Sequence, residues 1–86
     1  MVLKYKFVKR QIFDDIFLVP VGEAAAKFNG LIMINEIASY IFDLLPECGS
    51  AEEIAAKLTE KYDVDSERAK NDVEAFLGQL KENDII

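Results

Sequence analysis

Few side chains in this sequence can ionise, ligate or attack at a spacing that chemistry could use. Histidine is absent, which removes the commonest general base and the commonest transition-metal ligand. Cys48 is the sole cysteine, so no internal disulfide, zinc cluster or Cys–His dyad can be assembled within the chain. Following Pro46-Glu47, it reads as a plain loop residue without the surroundings that activate a thiol. Asp14-Asp15 has the form of a carboxylate pair for acid–base work, but between two strand-like runs it reads as a solvated turn. Glu52-Glu53 falls in the first turn of a helix, where the macrodipole accounts for acids. Asp63, Asp65 and Glu67 resemble a fragment of a calcium loop that lacks the twelve-residue frame and its central glycine. There is no glycine-rich phosphate loop and no nucleophile elbow. These residues describe a chain that is not an enzyme, with no cofactor and no metal.

What remains is the chemistry of the backbone, and one stretch singles itself out. Leu31-Ile32-Met33-Ile34 is a short apolar run after Asn29-Gly30, too short for a helix, and reads as a strand. Asn35 is a good N-cap, and beyond it the apolar residues Ile37, Ala38, Ile41, Phe42 and Leu45 take helical spacing. Tyr40 and Leu44 widen that stripe, so this helix belongs in the middle of a core.

The other elements follow from pattern. Tyr5 to Arg10 alternates as a first strand, Asp14-Asp15 turns the chain, and Ile16–Val19 is a second, buried strand ending near Pro20. Val21 to Asn29 is a longer connection. Three sequential strands suggest an antiparallel meander with the second in the centre. Pro46 stops the first helix by Leu45. Ser50-Ala51-Glu52-Glu53 is a capping box for a second helix with Ile54, Ala55, Leu58 and Tyr62 inward. Asp65 or Ser66 caps a third, whose stripe is Ala69, Val73, Phe76, Leu77 and Leu80. Gly78 lies inside it, where a close backbone approach is one reason for a glycine. Asn83 ends it, and Ile85-Ile86 tucks against the core. The expected fold is α+β, a winged helix-turn-helix of three antiparallel strands (about 5–10, 15–20 and 31–34) followed by three helices (about 35–45, 51–62 and 66–82), one domain spanning 1–86.

Half of the 86 residues are hydrophobic, enough for a core, and no apolar run reaches membrane-spanning length. The start lacks the apolar region of a signal peptide, so the expected location is cytoplasmic. The net charge of −6 argues against nucleic acid as a partner, because phosphate attraction supplies most non-specific affinity. Of the two edge strands of a meander, the first is guarded by Lys4, Lys6, Lys9 and Arg10, whereas Leu31–Ile34 carries no charge. That edge can be covered as ordinary core, or left open for an extended peptide that adds a fourth strand.

Leu18-Val19-Pro20-Val21, Phe28-Asn29-Gly30-Leu31, Ile34-Asn35-Glu36, Ile41-Phe42-Asp43-Leu44-Leu45, Glu53-Ile54, Leu58, Tyr62-Asp63-Val64 and Asp72-Val73-Glu74-Ala75-Phe76-Leu77 form an ordered series. From about Leu18 to Ile86 this series resembles the PqqD-like family, relatives of coenzyme PQQ synthesis protein D that are also called precursor-peptide recognition elements. The resemblance implies a non-catalytic chaperone that binds the leader segment of a ribosomally made precursor peptide and presents it to a maturase, often a radical-SAM enzyme. It also implies that the leader pairs with the third strand and lies between that strand and the third helix. Carried over to this chain, Leu31, Ile32, Met33 and Ile34 supply the backbone edge, and Ala69, Lys70, Val73 and Leu77 a partly apolar wall. Lys70 or Arg68 is then placed to meet acidic leader residues. The long Val21–Asn29 connection and Cys48-Gly49-Ser50, where the PQQ proteins have an Asp-Gly-like turn, point away from PQQ as the product. Two rival readings stand beside this one: a DNA-binding winged helix, and a self-associating domain whose bare third strand pairs with its copy in a homodimer.

Overall fold

The computed structural model describes residues 1–86. The chain opens on a hairpin of β1 (Phe7–Ile12) and β2 (Asp15–Pro20), paired from Ile12↔Asp15 to Phe7↔Pro20. β3 (Ile32–Ile34) pairs antiparallel with the other side of β2, from Ile16↔Ile34 to Leu18↔Ile32. The order β1-β2-β3 is the expected meander with β2 in the centre.

The first strand lies two residues further along than the expected 5–10. Asp15 is already paired, so the turn is Phe13-Asp14 and β1 must run up to Ile12 to face it. Tyr5 leaves the sheet and packs edge-on against Phe28, ring centroids 5.3 Å apart. The Val21–Asn29 connection is not plain loop, because it contains a short helix, α1 (Glu23–Lys27), entered through Gly22 at φ +62°. Ala24 from its first turn is fully buried, which docks it onto the sheet. The α+β expectation holds, with four helices rather than three.

The three longer helices, α2 (Glu36–Leu44), α3 (Ala51–Lys61) and α4 (Ser66–Glu82), start at the residues the sequence nominates. Asn35 Oδ1 accepts from the Ala38 N–H at 2.8 Å, Ser50 Oγ from Glu53 at 3.2 Å, and Asp65 Oδ1 from Arg68 at 2.7 Å. Each cap satisfies an N–H that the helix itself leaves unpaired. α4 ends in a Schellman turn, with the Ile85 N–H donating to Leu80 and the Asp84 N–H to Lys81. Asp84 occupies the left-handed position at φ +58°, and its carboxylate meets Lys4 Nζ at 2.5 Å. That turn drives Ile85 into the core, as the sequence suggested.

The core is one cluster in which Phe7, Leu18 and Ile34 from the sheet meet Ile41, Leu44 and Leu45 from α2, Ile54 and Leu58 from α3, and the α4 stripe. α2, α3 and α4 all contribute to it, on the side of the sheet that carries Phe7, Leu18 and Ile34. No helix is long and apolar enough to cross a membrane.

Gly78 makes no close approach, because a Cβ built there meets no atom within 4 Å. Gly78→Ala is therefore expected to stabilise the fold by about 0.5–1 kcal/mol through helix propensity, whereas Ile85→Ala loses about 2–4 kcal/mol; urea titration reads both. The neighbouring Lys4 holds the Asp84 carboxyl below its ordinary value of 3.8, so the contact supports the fold above that pH and is lost as pH falls through the lowered value. Asp84→Asn, which keeps the left-handed turn, should flatten the acid limb of a stability–pH curve.

Candidate functional site

Which backbone groups of β3 face outward follows from pairing parity. In an antiparallel ladder, directly opposed residues alternate between exchanging both hydrogen bonds and exchanging none. The Val21 N–H donates to the Lys6 carbonyl at 3.1 Å, one pair beyond Phe7↔Pro20. Counting from that bonded pair, Val8↔Val19 and Arg10↔Phe17 are bonded, and Pro20, which has no N–H, falls in a non-bonded pair as it must. Phe17 therefore directs its N–H and C=O to β1, while Ile16 and Leu18 direct theirs to β3. Their partners Ile34 and Ile32 face inward, and the N–H and C=O of Met33 point away from the sheet. The same parity turns Leu31 outward. No other hydrogen bond in the chain, from backbone or side chain, reaches residues 31–34 on that side.

The side chains divide at the same residues. Ile34 is buried and Ile32 half-buried against the core, whereas Leu31 and Met33 are 53% and 63% exposed. Where β3 ends, a cleft of about 290 Å³ opens between the start of α2 and the flank of α4. Asn35, Ile37, Ala38 and Ile41 form one wall, and Arg68, Asp72, Ala75, Phe76 and Gln79 the other. Ile41 and Phe76 are buried at its base, while Arg68 and Asp72 face each other across one turn at 3.9 Å, a loose surface pair.

The α4 residues expected to form a wall do not line this cleft. Ala69 and Val73 are fully buried and Leu77 nearly so, because this stripe is the one α4 packs into the core. One stripe cannot both fill the core and line a surface cleft. Lys70 projects from the other flank, into a depression shared with Glu52, Ala55, Ala56, Thr59 and Ser66. The cleft wall is instead the adjacent face, Arg68, Asp72, Ala75 and Gln79 at helical spacing, with Phe76 on the boundary. The signal was present as a small residue, Ala75, on an otherwise polar i, i+4, i+7, i+11 row beside the core stripe. Arg68 is thus the basic residue at the cleft, and Lys70 is not.

No group of three or more histidine, cysteine, aspartate or glutamate side chains converges as a metal site would require. Cys48 is buried in the core cluster.

A three-stranded sheet whose uncharged β3 edge is unpaired and runs into a cleft between two helices makes a small α+β domain. The family model for coenzyme PQQ synthesis protein D (PqqD) matches residues 18–86, and the chain belongs to that family. Two solved structures share the fold, each with 24% identity and a TM-score of 0.71. One is TbiB1 in complex with the TbiA(beta) leader peptide, where the match covers 99% of this chain and 93% of that one. The other is a lasso peptide synthetase B1 complexed with the leader peptide, covering 98% of this chain and 93% of that one. No curated protein sequence matches.

The parity assignment has a direct consequence for stability. Ile32→Pro removes an N–H that the Leu18 carbonyl uses, whereas Met33→Pro removes one with no partner in the chain. Urea midpoints are expected to place Ile32→Pro about 1–3 kcal/mol below Met33→Pro; equal losses contradict the assignment.

Proposed function

We propose that this chain is a non-catalytic carrier for the leader segment of a ribosomally made precursor peptide. The leader adds to β3 as a fourth strand, its backbone meeting the outward N–H and C=O of Met33 and of Leu31. The observation that carries this reading is the unpaired edge at Met33, in a chain where the opposite edge strand is lined with basic residues. Membership of the PqqD family and a fold shared with two proteins solved with leader peptides support it.

Register comes from the backbone and selectivity from side chains. An added strand places alternate residues on opposite faces. Those on the helix side enter the cleft, over an apolar base of Ile41 and Phe76 with Arg68, Asp72 and Gln79 along the rim. Of the expected contact residues, this reading keeps Leu31 to Ile34 as the strand that receives the peptide. It replaces Ala69, Val73 and Leu77 by Ala75 and Phe76, with Arg68 in place of Lys70. On this reading the enzyme that modifies the presented peptide is a separate protein, a radical-SAM maturase, and both work in the cytoplasm, where precursor peptides are made. The DNA-binding alternative is disfavoured by α4, which interleaves Arg68, Lys70 and Lys81 with Glu67, Asp72, Glu74 and Glu82.

Calorimetric titration with the leader of a short precursor encoded beside this chain's gene tests the reading. Met33→Pro is expected to weaken binding about tenfold or more, the equivalent of about 1.4 kcal/mol, while the variant stays folded. Ala75→Arg, which fills the cleft from an exposed helix position, should weaken it comparably with a change in stability under about 0.5 kcal/mol. Unaltered affinity in both variants would remove strand addition as the mode of binding.

A further inference from the structure

A strand added to β3 has two faces, and the cleft accounts for only one of them. Side chains alternate along a strand, so half of the leader's stand on the helix side and half on the opposite side of the sheet. Phe17, Val19, Leu31 and Met33 alternate onto that opposite side, and none of them packs against the core cluster. Leu31 and Met33 are more than half exposed in the free chain. Directly opposed residues of neighbouring strands point to the same face, whichever way the added strand runs. The leader residue opposite Met33 therefore shares its face, as do those two places to either side. The residues between them, opposite Ile32 and Ile34, turn toward the helices.

The outer set of leader side chains meets a row already in place. Phe17↔Met33 is a non-bonded pair, the kind in which opposed side chains stand closest, so Met33 stands between Phe17 and the place of the added residue. Methionine suits that place, because its unbranched side chain adapts to what it meets and packs well against an aromatic ring. Leu31, two residues earlier, continues the row. Arg10 and Asp15, the charged residues among the paired positions of that face, lie on β1 and β2 with β3 between them and the leader. Their backbones are two or more strand spacings away, about 10 Å at the nearest, so a charged leader residue there has no counter-charge beside it. We propose that the leader is read on both faces, the side chains of Met33 and Leu31 selecting apolar residues at the positions that the cleft does not reach. Given strand addition at Met33, on which this rests, the peptide selected has apolar residues at consecutive positions beside Leu31–Ile34, rather than apolar and polar residues in alternation.

The test is calorimetric titration of the full chain with the leader of a short precursor encoded beside its gene, bearing threonine at one position at a time. Threonine keeps strand propensity and removes apolar contact. Losses of about threefold or more are expected at consecutive positions of the paired stretch. Met33→Thr keeps the outward N–H and C=O, so strand addition survives the change. This variant should bind the unaltered leader about three- to fivefold more weakly, the worth of one good cross-strand pair, while retaining a cooperative urea transition. In it, the leader's threonine losses should shrink at one alternate set of positions and persist at the set between them; Ala75→Arg should do the reverse. Losses confined to every second leader position overturn the proposal, and so does a Met33→Thr chain that binds as the unaltered one does. If Met33→Pro weakens binding in that case, strand addition stands without the outer contact. If Met33→Pro binds normally as well, strand addition falls and the outer contact falls with it.

Discussion

Everything about this molecule's edge follows from the rule that a residue in an antiparallel ladder gives its N–H and C=O to one neighbour only. β2 is the arbiter, because it lies between two partners. Its odd-numbered residues, Phe17 and Val19, serve β1, and its even-numbered ones, Ile16 and Leu18, serve β3. Ile32 and Ile34 are therefore committed and Met33 is not. Pro20 belongs to the set facing β3, and its missing donor coincides with the point where pairing to β3 stops. A single unpaired residue on a three-residue strand is a small feature. It also lies on a stretch of the sheet margin that carries no charge.

The rest of the chain holds that edge in position. β3 is too short to be stable through its ladder alone, so its place is fixed by Ile34 in the core and by the helix that follows at once through Asn35. Asn35 couples two functions, since it caps α2 and stands in the wall of the cleft. α2 in turn is clamped by α4 through Ile41 and Phe76, and α4 by the Schellman turn that buries Ile85. Anything that moves α4 thus alters the width of the cleft without touching the strand.

The sequence made the scaffold easier to read than the site. Asn35, Ser50 and Asp65 marked three helix starts, because capping is local chemistry written in adjacent residues. β2 and β3 were legible as apolar runs bounded by turn residues. The offset of β1 was not, because Tyr5 and Phe7 alternate as well as Phe7 and its successors do, and only the pairing of Ile12 with Asp15 decides between them. α1 was missed because five residues, Glu-Ala-Ala-Ala-Lys, are too few for periodicity to register. The apolar α4 residues expected as a wall turned out to be buried, for a different reason. Apolar spacing identifies what a helix buries, and this cleft is lined by the neighbouring row, whose members look like ordinary surface. Parity is invisible in sequence altogether, since it depends on which pair in the hairpin is bonded.

The most direct measurement is amide hydrogen exchange, residue by residue, on the free protein and on its complex with leader peptide. In the free protein the Ile32 and Ile34 amides should be protected by β2 while the Met33 amide, lying between them, exchanges freely; leader peptide should then protect Met33 and leave its two neighbours as they were. A Met33 amide already protected in the free chain, or one that leader peptide does not slow, contradicts the account.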